Sequence, residues 1–138
     1  MTKFWLFAEN EFNRYQDEIN DYKYLGISEN KLKKRNFNKG DLIFVYISKI
    51  KKFSDIRKIS SDNIVNLPNS FSYDKKYDLA IQTKLVKKLN RENWIDSYPI
   101  FKKLELMRNN SIGFMLLNCP IILDEKDSKE IMNAFNRL

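Results

Sequence analysis

The sequence predicts an α+β fold: a mixed, strongly curved sheet that forms part of a barrel and is flanked by short helices. Two observations carry this reading. Short apolar runs rich in aromatic and β-branched residues recur along the chain, and segments with apolar residues at helical spacing fall between them. A third observation sets the organisation. Only three Gly and three Pro occur in 138 residues, leaving no flexible linker, and no internal repeat divides the chain, so residues 1–138 read as one domain. With 43% apolar residues that domain has ample material for a core.

The elements follow in order. Residues 4–8 (Phe-Trp-Leu-Phe-Ala) are too brief for a helix and too aromatic for an exposed arm, so they predict a buried strand. From Glu11 to Ile19, Phe12, Tyr15, Gln16 and Ile19 recur at helical spacing and predict an amphipathic helix. Lys31 to Phe37 suits a short, mostly solvated helix or turn, and Asn38-Lys39-Gly40-Asp41 is a tight turn feeding a central strand, Leu42 to Ile47. Phe53, Ile56 and Ile59 fit helix or strand; the alternation at Ile64 and Asn66 and the Ser60-Ser61-Asp62 punctuation favour a twisted strand that turns away. Leu67 to Lys76 predicts a loop, and Leu79 to Leu89 a half-buried strand with Leu79, Ile81, Thr83 and Leu85 inward. Pro99 starts a helix continued by Ile100, Phe101, Leu104 and Met107. Phe114 to Leu117 predicts a strand, Ile121 to Leu123 an edge strand, and Asp124 caps a final helix through Ile131, Met132 and Phe135.

Composition narrows the chemistry. Lys and Arg exceed Asp and Glu by 25 to 18, a net charge of +7, which suits a polyanionic partner through phosphate neutralisation. Part of that bias is the Lys-Asn-Ile usage of an AT-rich coding sequence. Cys119 is the lone cysteine and His is absent, which excludes an intramolecular disulfide, His/Cys zinc sites and His-based catalysis. Asp41, Asp124, Glu125 and Asp127 are explained by a turn and a helix cap. No paired carboxylates, Gly-rich phosphate loop or nucleophile elbow appear, so the expectation is a non-enzyme with no catalytic residue, metal or cofactor. No apolar run approaches the roughly 18 residues of a membrane span, and the run after Lys3 is too short for a signal-peptide core, so no membrane partner and a cytoplasmic location are expected.

Several segments carry a family likeness. Trp5-Leu6 is followed by Asn10-Glu11-Phe12-Asn13. Then come Leu25-Gly26-Ile27, a basic stretch from Lys31 to Lys39, the Gly40-Asp41 turn and the Tyr46 strand. Near the C-terminus come Leu104 to Met107, the polar stretch Arg108 to Ser111, Phe114 to Leu117 and an acidic-capped helix from Asp124. In order and spacing this resembles the EVE domains of the PUA-like superfamily, across nearly the whole chain. The departure lies at Leu25, where that family usually keeps a Trp before the Gly, with Tyr24 one residue earlier.

The resemblance implies a pocket that reads a nucleobase, a modified one in particular, on DNA or RNA. It implies Trp5, Asn10, Asn13, Tyr24, Leu25, Gly26, Ile27, Tyr46 and Arg108 as ligand-binding candidates, with Lys31, Lys33, Lys34 and Arg35 along the nucleic-acid backbone. Each has a structural alternative. Trp5 is either a stacking surface or core, Asn10 and Asn13 either read a base edge or cap the first helix, Arg108 is either a phosphate contact or plain surface, and the basic run is either a pocket rim or a solvated face. Two other functions stay open, a pocket for a metabolite or free nucleobase derivative and a small RNA-processing enzyme or an accessory to one. The oligomeric state is not legible.

Overall fold

A seven-stranded mixed sheet organises the computed structural model, which describes residues 2–68 and 77–138. Its elements are β1 (Phe4–Glu9), α1 (Glu11–Ile19), β2 (Tyr24–Ile27), α2 (Glu29–Lys33), β3 (Leu42–Ile47), β4 (Lys52–Asn66), β5 (Leu79–Lys88), β6 (Ile95–Asp96), α3 (Tyr98–Phe101), α4 (Ile112–Asn118), β7 (Ile121–Leu123) and α5 (Glu125–Asn136). The strand order is β2-β5-β4-β3-β1-β7, with β6 beside β4. β1 runs parallel to β3, from Phe4 opposite Leu42 to Glu9 opposite Ile47, and every other pair is antiparallel. Among the described residues β2 and β7 are the two ends of this order and are not paired with each other, so the sheet is not closed. β4 carries the irregularity, with register shifts against β5 after Ile56 and between Ile59 and Ile64.

The turn into β3 fixes β1. Gly40 has φ of +95°, a region that disfavours a side chain. Its N–H donates to Ile59 O at 2.8 Å. The buried Asp41 carboxylate then accepts from the Lys3 N–H at 3.1 Å, the Asn38 N–H at 3.0 Å and the Trp5 indole N–H at 3.0 Å. Beneath β3 the core is aromatic: the Tyr46 ring lies 5.6 Å from Phe53 and 5.2 Å from Phe101, and Phe53 lies 6.4 Å from Phe135 of α5.

Helix α1 has the expected bounds and faces the unexpected way. Phe12, Tyr15 and Ile19 are at least half exposed, while Asn13, Arg14 and Asp17 are buried. The buried face meets polar residues of β1 and β4. Arg57, fully buried, lies 2.9 Å from Asp17, 2.7 Å from Asp55 and 3.3 Å from Glu9. Arg14 Nε lies 2.9 Å from Asp55, and both guanidinium groups sit about 5 Å from the Tyr22 ring, at 4.9 and 5.3 Å. Burial holds the Asp17 carboxyl well above its usual range; Arg57 opposes that shift and Glu9 adds to it. A proton kept on Asp17 brings the charge of this cluster toward that of its two guanidinium groups, the balance a dry interior requires.

Three further differences follow from competing local signals. Phe114 to Leu117 lies in α4 and not in a strand: Ser111 caps it, its Oγ accepting from Phe114 N at 3.1 Å, and a four-residue apolar run does not distinguish helix from strand by period. The helix begun at Pro99 stops at Phe101, and Leu104 instead leads a 3₁₀ turn, Glu105–Met107. Residues 24–27, read only for their family likeness, form the edge strand β2. Of the expected 67–76 loop, residues 69–76 lie outside the described residues.

Candidate functional site

A cavity of about 310 Å³ opens at one end of β1. Phe7 and Ala8 of β1 and Gly26 and Ile27 of β2 form one side; Ser28 and Lys31 border it; Tyr77, Leu116, Leu117, Cys119 and Pro120 complete it. The wall contributed by α4 is held by cations from the α2 segment. Ser28 caps α2, its Oγ accepting from Lys31 N at 3.4 Å, so the chain turns from strand into helix within one residue. Lys31 then donates through its ammonium to Leu117 O. Arg35 donates Nε to Pro120 O at 2.6 Å, Nη2 to Asn118 O at 2.8 Å and Nη1 to Lys31 O at 2.7 Å. Carbonyls at a helix C-terminus lack intrahelical partners, and here cationic side chains satisfy them.

The described lining residues give the cavity the character of a binding slot. Its walls are mostly aliphatic or aromatic, no carboxylate lines it among the described residues, and the chain has no His. The Ser28 hydroxyl is engaged as a cap. Burial pushes the Cys119 thiol up to about 12, against the pull of Lys31 and Arg35, so it stays neutral. What remains is an apolar slot with a hydroxyl, an ammonium and backbone groups at its border, a combination that suits a small planar ligand.

Of the residues singled out from sequence, the structure brings Gly26, Ile27 and Lys31 to this cavity. It does not bring Trp5, Asn10 and the 24–27 segment together there. Trp5 is 4% exposed, bonded to Asp41, with its ring 4.4 Å from Phe37, and its edge borders a separate shallow groove. Phe7, two residues on, reaches the cavity instead. The Asn10 side chain caps α1, accepting from Asn13 N at 2.7 Å, and Asn13 lies on the buried face of that helix. Leu25 is 1% exposed and faces the core, Tyr24 is half-buried at the start of β2, and Tyr46 is fully buried.

The basic run divides by role. Lys33, 3.9 Å from Glu29, and Lys34 are exposed, whereas Arg35 is committed to the α4 wall. Arg108 is exposed, 3.6 Å from Glu105, beside a different cavity. Phe7, Ser28, Tyr77 and the 116–120 segment were not foreseen. Phe7 shares the alternation of Trp5, a usable signal; the 116–120 segment joins the cavity only through tertiary contacts.

Comparison with known proteins places the fold. No family model matches the sequence, and no curated protein matches it. Solved structures do match. The YTH domain of the Zygosaccharomyces rouxii MRB1 protein, in complex with N6-methyladenosine RNA, superposes with a TM-score of 0.71 at 12% identity, covering 97% of this chain and 86% of that one. The Mmi1 YTH domain gives 0.73 at 11% identity, over 99% and 89%. A hypothetical protein from Leishmania major gives 0.63 at 12%, over 99% and 96%. YTH domains have a PUA-like fold, and at these identities the likeness is one of fold.

Proposed function

We propose that this protein is a non-catalytic RNA-binding domain that admits one base, carrying a modification such as an N-methyl group, into the cavity between β1, β2 and the end of α4. One observation carries the reading: a slot of about 310 Å³, its walls largely apolar and without a carboxylate among the described residues, opens beside the cationic α2 segment. The fold it shares with the YTH domain bound to N6-methyladenosine RNA supports it. An N-methyl group removes a donor and adds apolar surface, which favours walls such as Ile27, Leu116 and Pro120 over water. Lys33 and Lys34, exposed at the end of α2, offer phosphate contacts to a strand passing that segment, and Tyr77 of the cavity offers an aromatic face to the base. The reading keeps the modified nucleobase implied by the EVE-type resemblance and moves its contacts from Trp5 and Asn10 to the residues around Gly26 and Ile27.

The test is fluorescence anisotropy with N6-methyladenosine RNA, the same RNA unmodified, and the matching DNA, across a salt series. Affinity is expected to fall with salt, by about 0.7 in log–log slope per single-strand phosphate contact. Lys33→Gln with Lys34→Gln should lower the slope by about 1.4 without changing base preference, and Tyr77→Ala should weaken the preference for the modified base. Salt-independent binding of free methylated nucleobase, with no RNA binding, would replace this reading with a small-molecule pocket.

A further inference from the structure

A second cavity, of about 450 Å³, lies between α3, the 3₁₀ turn and the first turn of α5, and it differs in kind from the base pocket. Buried Phe101 and Leu104 are among its lining residues, with half-buried Met107 and Ile112. Around them stand four cations, Lys102, Lys103, Arg108 and Lys126, against one carboxylate, Glu105. Glu105 is shared between Lys126 at 2.9 Å and Arg108 at 3.6 Å, which leaves the lining with a surplus of positive charge.

The backbone here is anchored. The buried Asp127 carboxylate accepts from Glu105 N at 2.8 Å and Leu106 N at 3.0 Å, so α5 fixes the turn that presents Met107 and Arg108. At the cavity border the Tyr98 ring is 63% exposed, with the Lys102 ammonium 5.1 Å from its centroid. An exposed aromatic face beside lysines is the pairing used to hold one nucleotide, base on the ring and phosphate on the cations.

Helix α4 connects the two cavities. Ile112 borders the basic cavity and Leu116 the base pocket, four residues apart and so on one face of the helix, about 6 Å along its axis. Phe114 and Leu117 form an exposed ridge on the same helix, 52% and 76% exposed. We infer that a single RNA strand crosses α4, with one base in the pocket at Ile27 and a second nucleotide of the same strand at Tyr98, Lys102 and Lys103. This rests on the reading under Proposed function and extends it from a base reader to a reader of a short single-stranded segment.

The experiment compares the full chain with two variants, Tyr98→Ala and Lys102→Gln/Lys103→Gln, using N6-methyladenosine RNAs of increasing length and the N6-methyladenosine nucleoside. All substituted side chains are exposed, so the fold should be retained, which circular dichroism checks. Affinity of the wild type should rise with RNA length until the second site is filled. Tyr98→Ala should then lose about 5- to 100-fold on the longer RNA, and the double Lys variant should lower the salt slope by about 1.4; neither should change affinity for the nucleoside. Wild-type affinity and salt slope in both variants, with base preference intact, would overturn the second site and leave the base pocket standing. Loss of long-RNA affinity in the variants with no base preference in any protein would support this site and refute the base pocket. Failure of every RNA to bind would refute both.

Discussion

Replacing Arg57 by Met would break the ionic group behind α1 while preserving most of its volume. The side chain is fully buried and has Asp17, Asp55 and Glu9 within 3.3 Å, so its loss leaves three buried acids facing Arg14 alone. Removing one partner of a buried ion pair costs about 3 to 5 kcal/mol, because the remaining charge is neither hydrated nor balanced. A domain of this size has a total stability on the order of 7 to 20 kcal/mol. The variant should therefore fold and be markedly weakened, with a melting temperature lower by about 10 to 20 °C. Urea unfolding is the suitable assay: the midpoint should fall with the slope unchanged, which marks a change in stability and not in compactness. Adding Asp17→Asn should restore part of the loss, with a coupling of about 0.5 to 3 kcal/mol. Wild-type stability in Arg57→Met, or strict additivity of the two changes, would refute the reasoning.

Asp17 also predicts a pH dependence. Its carboxyl is held above its ordinary value of 3.8, so its stabilising contribution is complete below that pH and is lost as pH rises through the folded-state value; Asp17→Asn should flatten this decline in a pH series of urea midpoints. Gly40→Val should cost about 1 to 3 kcal/mol, since φ of +95° strains a β-branched residue although open space surrounds the Cβ position; an unchanged melting temperature would contradict this. Cys119, with its thiol pushed up to about 12 from an ordinary 9.0, should react with a thiolate-selective reagent at pH 8 about 1,000-fold more slowly folded than unfolded, and fast labelling of the native protein would place it outside the cavity wall.

What the sequence determined by itself are the features written in neighbouring residues. β1, the bounds of α1, the Gly40 turn into β3, the strand β5 and the Asp124-capped α5 all follow from caps, turn chemistry and apolar periods that act over a few residues. Residues whose side chains are claimed by distant partners show the limit. Trp5 reads as a stacking surface until Asp41, 36 residues away, takes its indole N–H, and Arg35 reads as a phosphate contact until Pro120 and Asn118 claim its guanidinium. Tertiary structure alone decided which way α1 faces. Its spacing of Phe12, Tyr15 and Ile19 specifies a helix, yet that face lies outward because Arg14 and Asp17 find counter-charges on β4. A period in the sequence records where apolar residues recur, whereas the buried face is set by the free energy of the whole contact. Charges are costly to bury only when nothing answers them, and Asp55 and Arg57, which answer them here, lie some 40 residues along the chain.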